Sequence, residues 1–353
     1  MRYRSSSRAC AAVGAAALAL LLAACAPAAS PAASAPPTAL PAPASSTTVP
    51  QPPLEQVSFR LDWAIQGHHG PYFAALDKGF WREQGLEVTI GEGRGSPVTV
   101  DVVANKSDTF GNVDAGTMAM RVSQGASVRM VANFLQKNPQ AVISRGDAAI
   151  RTPQELVGKS LGANPTSTSA QLFPAMLKAS NIPEDKVTIV SMDIGALPTA
   201  LIQKRVDGIL DYGFTDVARL ESQGIEAYAL PYGITSLTLG IITSNDLLTQ
   251  KPELVRRFVA GAVKGWQYAE QHPDETAAIL KQHFPEIDEA LYLKILKGSF
   301  DLLHTPRTEG KPLGWMAKED WEETQEMLVQ YLGLTNQLPV DNYYTNEFLA
   351  PGS

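Results

Sequence analysis

Between residues 57 and 243 the chain alternates short strand-like segments with helix-like segments, and this alternation constrains the fold more than any other feature. Residues 57–61 alternate apolar and polar side chains like a half-buried strand, and residues 86–90 do so again after an intervening helical stretch. Such alternation of strands and helices is typical of mostly parallel sheets covered by helices. We therefore predict an α/β fold.

The predicted elements form two α/β units and a helical tail. The first unit has strands at 57–61, 86–90, 109–113 and 128–134 and helices at 72–84, 98–106 and 115–124. The second unit has strands at 141–144, 160–163, 187–190, 208–211 and 226–230 and helices at 170–179, 196–204 and 216–223. A strand at 237–243 precedes tail helices at 253–271, 274–283, 288–303 and 318–331.

Two lobes joined by a hinge follow from this pattern. The 353 residues exceed what one core usually holds. Since the tail lacks its own sheet, we expect it to pack back onto the first unit, so that the chain crosses between lobes twice. We assign 54–140 plus 237–353 to lobe 1 and 141–236 to lobe 2. A ligand would bind between the lobes, where strand carboxyl ends and helix N-termini converge.

The first 53 residues predict a leader and a tether. Three arginines precede the apolar run 11–24, which is short for a membrane span. The Leu-Ala-Ala-Cys sequence at 22–25 resembles a bacterial lipobox, which implies removal of residues 1–24 and lipidation of Cys25. The alternative is a plain signal peptide with an incidental cysteine. Residues 25–53 are almost wholly Ala, Pro, Ser and Thr and predict an extended tether.

Composition and motifs exclude several classes of function. The net charge of −7 lacks the basic footprint of a nucleic-acid binder. The only cysteines are Cys10 and Cys25, which excludes a disulfide framework, a cysteine zinc site and a cysteine nucleophile in the folded part. The glycine-rich segment 91–96 lacks the last glycine of a dinucleotide fingerprint and is interpreted as a cleft loop. We predict no metal, no cofactor and no nucleic-acid partner.

Residues 59–90 contain the most specific motif of the chain. Asp62 and Trp63 are followed by His69, by Lys-Gly-Phe-Trp at 78–81 and by Gly-Leu-Glu-Val at 85–88. This order resembles the opening of the NMT1/THI5-like family of ABC-transporter solute-binding proteins, and weaker similarity continues at 111–116, 155–159 and 200–208. The resemblance implies a type II periplasmic-binding-protein fold, with two α/β lobes, a hinge and a C-terminal helical tail.

The resemblance also implies partners and a location. The expected partners are a small-molecule ligand, an ABC permease with its ATPase, and a membrane, which the lipid on Cys25 would contact from the extracytoplasmic face. We expect a monomer.

Candidate ligand contacts begin in the loop after the first strand. Trp63 either stacks on a flat ligand ring or closes the core, and His69 binds either a ligand heteroatom or the loop backbone. Asp62 accompanies them as a candidate. His68 is expected in solvent, because adjacent side chains of an extended loop point in opposite directions, and such neighbours lack metal-ligand spacing.

The remaining candidates flank other predicted strand ends, and each has a structural alternative. Hydroxyls at the start of a helix either bind ligand or cap the helix, and the aromatic residues either line the cleft or pack in the core. They are Thr117, Thr166, Ser167, Thr168, Asp211, Tyr212, Phe214 and Tyr232.

Three functions fit these features. The first, our prediction, is a binding protein that delivers a solute to an importer by hinge closure. The second is an enzyme, because fungal members of the family make the thiamine pyrimidine by consuming a histidine that His69 matches. That family's cysteine-rich signature has no counterpart here. The third is a sensor or adhesive surface protein with the same fold.

The family's branches bind riboflavin, thiamine-pyrimidine precursors, or nitrate and alkanesulfonates. The aromatic candidates favour a planar heteroaromatic ligand over an oxyanion, for which clustered Arg or Lys is expected. Residues 162–167 depart from the Gly-Glu-Phe-Gly stretch usual in pyrimidine binders. We predict riboflavin, with a formylaminopyrimidine-type precursor or an alkanesulfonate as alternatives.

Overall fold

The structure, a computed structural model, describes residues 53–350. The predicted leader, the predicted lipidation at Cys25 and all but the last residue of the predicted tether lie outside the described residues. Within residues 53–350, no helix has the length and apolar character needed to cross a membrane.

The described residues contain ten strands and twelve α-helices close to the predicted positions. The strands are β1 (Glu55–Arg60), β2 (Leu86–Gly91), β3 (Phe110–Asp114), β4 (Val128–Asn133), β5 (Gln140–Arg145), β6 (Ser160–Ala163), β7 (Thr188–Ser191), β8 (Gly208–Tyr212), β9 (Ala227–Pro231) and β10 (Leu239–Ser244). The first seven helices are α1 (Gly70–Asp77), α2 (Phe80–Glu83), α3 (Ser96–Ala104), α4 (Ala115–Ser123), α5 (Thr168–Ala179), α6 (Leu197–Ile202) and α7 (Gly213–Ser222). The tail helices are α8 (Asn245–Gln250), α9 (Pro252–Gln271), α10 (Pro273–His283), α11 (Glu289–Phe300) and α12 (Lys318–Leu332).

The strands form two five-stranded sheets, one in each lobe. The first sheet has the order β2-β1-β3-β10-β4 and the second has the order β7-β6-β8-β5-β9. In the first sheet β1 pairs in parallel with β2 and β3, and in the second β6 pairs in parallel with β7 and β8. The chain passes between the sheets at 134–139 and at 232–238.

Both sheets are mostly parallel, as expected, and each contains one antiparallel strand. β10 lies antiparallel between β3 and β4, and β5 lies antiparallel between β8 and β9. Each of these two strands follows a crossover, so the chain enters its sheet at the edge where the parallel strands end. Leu239, the first residue of β10, accordingly pairs with Asp114, the last residue of β3. A strand that enters at this edge has to run back against its neighbours.

The helix predicted at 72–84 is broken in two. α1 ends at Asp77, and α2 begins after Gly79, which has a φ of +75°. That backbone conformation costs glycine little and disfavours other residues, so it interrupts the helix.

The tail helices pack back onto the first lobe, and two of them also contact the second lobe, which the sequence did not predict. α9 and α10 pack on α1, as expected. α11 also contacts α7 of the second lobe, where Phe214 lies against Gly298. α12 contacts both α4 and α5, and Lys178 of α5 donates to the carbonyl of Gln330 over 2.7 Å. The tail therefore bridges the cleft on two sides.

Candidate ligand-binding cleft

A cavity of about 480 Å³ lies between the lobes. Its walls are the loops after β1, β2, β6, β7 and β8, including the N-terminal ends of α5, α6 and α7. In each sheet one strand, β1 or β6, has a parallel neighbour on both sides. The connection from this strand leads to the neighbour on one side, and the next connection leads to the neighbour on the other side. Such a switch point leaves a crevice at the carboxyl ends of the strands, so the topology itself creates this cavity.

The loop after β1 places Asp62 and Trp63 against the cavity, with Trp63 half-buried. The loop after β2 holds the loop after β1 in place by two hydrogen bonds. The N–H of Gly93 donates to the carbonyl of Trp63 over 3.1 Å, and the N–H of Gly95 donates to the carbonyl of Asp62 over 2.8 Å. A Cβ at Gly93 would lie 2.0 Å from the carbonyl oxygen of Leu61. This close approach requires glycine, which explains part of the glycine-rich segment at 91–96.

His69 is fully buried beneath the cavity and is absent from its lining. Its Nδ1 accepts from the N–H of Gln66 over 3.0 Å, which leaves Nε2 to donate to Oδ1 of Asp62, also over 3.0 Å. The contact with the loop backbone matches the structural alternative for this residue. His69 therefore orients Asp62.

A buried hydrogen-bond network extends from Asp62 into the first lobe. Oδ1 of Asp62 also accepts from Nδ2 of Asn112 over 2.8 Å, and Oδ1 of Asn112 accepts from the hydroxyl of Tyr72 over 3.0 Å. Burial alone would raise the pKa of Asp62, but its interaction with His69, chiefly the hydrogen bond from Nε2, and the hydrogen bond from Asn112 together outweigh burial and lower that pKa. Asp62 therefore carries a negative charge at the floor of the cavity.

His68 lines the cavity and is only 3% exposed, which corrects the expectation that it is solvated. Residues 67–69 form a 3₁₀ turn rather than an extended loop, so the argument from alternating directions does not apply. The imidazole lies 5.9 Å from the ring of Phe214 and 6.3 Å from that of Tyr212, between centroids. His68 thus contacts the aromatic side chains of the second lobe.

The two ring nitrogens of His68 have no hydrogen-bond partner among residues 53–350. Burial, followed by the proximity of the His69 ring, lowers the pKa of His68 to about 3. The ring is therefore neutral at physiological pH and offers one donor and one acceptor.

The start of α5 brings Thr166, Ser167 and Thr168 to the cavity, as predicted for a strand end. Oγ of Ser167 accepts from the N–H of Ala170 over 3.2 Å, so this residue also caps the helix. Ser169, which follows them, is buried in the lining, and its Oγ lacks a partner among the described residues.

Tyr232 does not line the cavity. It is buried, and its hydroxyl donates to the carbonyl of Ser169 over 2.9 Å. Tyr232 therefore matches the alternative in which the aromatic residue packs in the core, and its hydrogen bond supports the start of α5.

The end of β8 brings Asp211 and Tyr212 to the cavity, whereas Phe214 packs outside it against His68 and Gly298. Thr215 and Arg219 of α7 also line the cavity, and sequence analysis missed them. The spacing of four between 215 and 219, directly after the strand that contains 211, is the signal that could have found them, since it places both side chains on one face of α7.

Arg219 connects the two lobes. Its Nη1 pairs with Oδ1 of Asp216 over 3.2 Å, and its Nη2 donates to Oε1 of Gln66 over 3.4 Å. Burial raises the pKa of Asp216 while Arg219 opposes that rise. Burial, followed by the charge of Asp216, raises the pKa of Asp211 well above its usual range. The second-lobe wall therefore combines one cation with two carboxyl groups.

Thr117 lies elsewhere, in a separate pocket of about 340 Å³ formed by α4, α5 and α12. Its N–H donates to Oδ1 of Asp114 over 2.7 Å, the geometry of simple helix capping. Burial raises the pKa of Asp114 to about 6 against this hydrogen bond. Thr117 does not line the larger cavity, although Thr168 lines both that cavity and this pocket.

Ligand atoms of Asp62, His68 and His69 lie within 4.8 Å of one another, a grouping that could hold a metal ion. Nε2 of His69 and Oδ1 of Asp62 already form a hydrogen bond, and Nδ1 of His69 is occupied by Gln66. A metal would have to break the contact that orients Asp62. The prediction that no metal binds stays a prediction.

Several known proteins are similar to this chain. The riboflavin-binding protein RibY of Chloroflexus aurantiacus is 27% identical over 343 residues, 95% of this chain and 96% of RibY. A formylaminopyrimidine-binding protein of Halalkalibacterium halodurans is 23% identical and covers 76% of this chain and 83% of its own. A 4-amino-5-hydroxymethyl-2-methylpyrimidine phosphate synthase of Legionella pneumophila is 22% identical, with 83% and 92% covered.

Comparison with solved structures confirms the predicted periplasmic-binding-protein fold. The alkanesulfonate-binding protein SsuA of Xanthomonas axonopodis pv. citri aligns with a TM-score of 0.65 at 14% identity, over 84% of this chain and 99% of SsuA. The sequence pattern of the NMT1/THI5-like family matches residues 66–276, more than half of the chain. The chain therefore belongs to the NMT1/THI5-like family.

Proposed function

We propose that this protein is the solute-binding component of an ABC importer and that its cleft binds riboflavin. The observation that carries this proposal is the composition of the cavity, in which aromatic side chains of both lobes combine with hydroxyl groups of the second lobe. A ligand with a planar aromatic part and a hydroxylated chain matches this combination. The similarity to RibY over nearly the whole length of both chains supports the same ligand.

The size and shape of the cavity support an aromatic ligand of this kind. A volume of about 480 Å³ is within the range of sites that enclose a small organic molecule. Trp63 stands on the first-lobe wall and Tyr212 on the second-lobe wall, so a flat ring system between the lobes would contact an aromatic side chain on each side. Aromatic rings favour such offset-stacked or edge-on contacts.

The unpartnered polar groups of the lining support a hydroxylated ligand. Oγ of Ser169, Oγ1 of Thr215 and the ring nitrogens of His68 have no hydrogen-bond partner within residues 53–350. Buried polar groups are costly without partners. A polyhydroxylated chain and ring heteroatoms would supply those partners from the ligand.

Binding fits the site better than catalysis by the family's histidine. In this protein both nitrogens of His69 are engaged by Gln66 and Asp62, and the side chain is fully buried. A histidine that reacts with substrate needs a free nitrogen within reach of it. The matching histidine here acts as a positioning group for Asp62.

A second candidate ligand class is an alkanesulfonate or another small anion. The N-terminal residues of α5 line the cavity, and the N-terminus of a helix favours anions. A formylaminopyrimidine-type precursor is a further alternative, supported by the similarity to the protein of Halalkalibacterium halodurans.

We also propose how the lobes and the membrane take part. Residues 54–140 plus 237–353 would form lobe 1 and residues 141–236 lobe 2, with the crossovers at 134–139 and 232–238 as the hinge. Ligand that bridges the lobes would stabilise the closed form, which a permease would recognise. A lipid on Cys25 would hold the protein to the extracytoplasmic face of the membrane.

Titration of the purified protein with riboflavin, followed by quenching of flavin fluorescence, tests the ligand. Thermal unfolding with formylaminopyrimidine and with taurine runs in parallel. A true ligand at a hundredfold excess over Kd should add about 2.7 kcal/mol to the free energy of unfolding. Quenching together with a thermal shift supports the flavin. A shift with only the pyrimidine or only taurine would replace riboflavin by that ligand.

A further inference from the structure

The charged groups of the cavity constrain its ligand further than its shape does. Among the lining residues that the structure describes, Arg219 is the one permanent cation, and Asp62 and Asp211 are the carboxyl groups. The other lining side chains are uncharged, including the neutral imidazole of His68. Any anionic group on a ligand would depend on Arg219.

Arg219 already has partners within the protein. Its Nη1 pairs with Asp216, whose side chain is fully buried, and its Nη2 reaches Gln66 of the other lobe. An anion that took Nη1 of Arg219 would leave the buried carboxyl group of Asp216 without its partner, and an anion on the remaining N–H groups would share the positive charge with Asp216. Breaking a buried pair in this way is strongly unfavourable.

The carboxyl group of Asp62 opposes an anion from the first lobe. Hydrogen bonds from His69 and Asn112 hold it in its ionised form. Asp211 lies on the opposite wall beside Asp216, where its raised pKa favours the neutral form, and it adds no positive charge. A dianionic phosphate would face the fixed negative charge of Asp62, while the one cation of the lining is already paired with Asp216.

The lining instead offers uncharged hydrogen-bonding groups from both lobes. His68 supplies a donor and an acceptor from the first lobe, and Ser169 and Thr215 supply hydroxyls from the second. These groups are at least nine-tenths buried and lack partners among the described residues. They suit hydroxyl groups and ring heteroatoms better than a phosphate, which would have to be desolvated without a compensating charge.

We propose that the cavity accepts its ligand in the unphosphorylated form and rejects the phosphate monoester of the same ligand, with the ionised Asp62 as the group that excludes it. This inference rests on the proposed function, because it concerns the same cleft. The N-terminal ends of α5, α6 and α7 and the charge of Arg219 favour an anion, and the test below measures whether they outweigh the charge of Asp62.

The test compares matched pairs of ligands on the purified protein. The pairs are riboflavin with flavin mononucleotide, and 4-amino-5-hydroxymethyl-2-methylpyrimidine with its phosphate. The expected result is at least about tenfold weaker binding of the phosphate in the pair that binds. Equal or tighter binding of the phosphate would overturn the inference and leave the proposed function intact. Absence of binding by all four compounds would overturn the proposed function and this inference together.

One variant and its control test the role of Asp62. Asp62→Asn should narrow the difference in affinity between riboflavin and flavin mononucleotide, mainly by improving binding of the phosphate, because the amide removes the charge and its oxygen still accepts from His69. Asp193→Asn is the matched control, since Asp193 is exposed on the second lobe and outside the lining. An unchanged ratio in Asp62→Asn, with normal thermal unfolding, would show that Asp62 does not exclude the phosphate. If that variant fails to fold, the ratio in the unmodified protein still decides the inference.

Discussion

At the scale of single residues, two adjacent histidines have opposite environments. Both ring nitrogens of His69 form hydrogen bonds, one with Gln66 and one with Asp62. His68 lies in the cavity lining, and its two ring nitrogens have no hydrogen-bond partner within the described residues. The 3₁₀ turn at 67–69 rotates the two rings apart, although their centroids are only 4.3 Å from each other. One histidine builds the site and the other is available to a ligand.

Trp63 tests whether the cavity binds an aromatic ring. Trp63→Ala should weaken riboflavin binding by about tenfold or more, since aromatic contacts contribute on the order of 1 kcal/mol beyond area burial. Fluorescence titration measures the change. Trp315→Ala is the matched control, because Trp315 lies outside the lining and should leave affinity unchanged. Normal affinity in Trp63→Ala would show that the indole does not contact the ligand.

His68 gives the protein a characteristic dependence on pH. Its pKa is about 3 when folded and near 6.5 when unfolded, so the unfolded state binds more protons between these values. The contribution of His68 to stability is complete above pH 6.5 and is lost progressively towards pH 3. Denaturation of the wild type and His68→Gln at pH 7.5 and pH 4.5 measures it.

The wild type should lose about 2–3 kcal/mol more than His68→Gln between the two pH values. Comparing the variants cancels other groups, such as Asp114, whose raised pKa of about 6 acts in the opposite direction. Parallel pH profiles for both proteins would show that His68 is accessible to protons in the folded state.

Sequence reasoning located residues that follow strands and missed residues further along helices. Trp63, Ser167 and Asp211 line the cavity because each follows the carboxyl end of a parallel strand, which a pattern of strands and helices predicts. His68 was misjudged because its burial depends on α11, far away in the sequence. Whether these residues bind ligand stays a prediction.

At the scale of elements, α11 connects the binding loop of the first lobe to the second lobe. It packs on the turn at 67–69, where the hydroxyl of Tyr292 donates to the carbonyl of Ile65 over 3.0 Å, and it also contacts α7. The amphipathic pattern of the tail predicted this helix, but not which surfaces it covers. That depends on close approaches at particular glycines.

Gly67 allows the turn to approach α11. An added Cβ would lie 2.2 Å from the carbonyl oxygen of Tyr292 and 2.9 Å from Cβ of Ile295. Gly67→Ala should therefore lower the free energy of unfolding by about 1–3 kcal/mol, measured by denaturant titration. Gly116→Ala is the control, since its Cβ would meet only ordinary contacts and alanine favours helix. A fully stable Gly67→Ala would contradict this packing.

Gly298 sets the distance between α11 and α7. A Cβ there would lie 3.2 Å from Cβ of Phe214, so a larger side chain would push the lobes apart. Gly298→Leu should weaken ligand binding by about tenfold, because closure would cost more free energy. Affinity together with small-angle scattering of the free protein measures both effects. Unchanged affinity would show that closure does not depend on this contact.

At the scale of the whole molecule, the predicted fold is confirmed and the predicted attachment to a membrane stays a prediction. Cys25 and the segment after it lie outside the described residues. Cys25→Ser should release the protein from the membrane fraction, because the proposed lipid would be absent. Cell fractionation with detection of the protein measures this. Retention of Cys25→Ser on membranes would contradict the lipid anchor.

The return strand β10 has a consequence for the order of folding during synthesis. The second sheet is made of consecutive strands and is complete once residue 231 has been added. The first sheet needs β10, which ends at residue 244, between β3 and β4. A growing chain can therefore complete the sheet of its second lobe first. The sheet of the first lobe, although most of its strands are synthesised earlier, stays incomplete until β10 has been added.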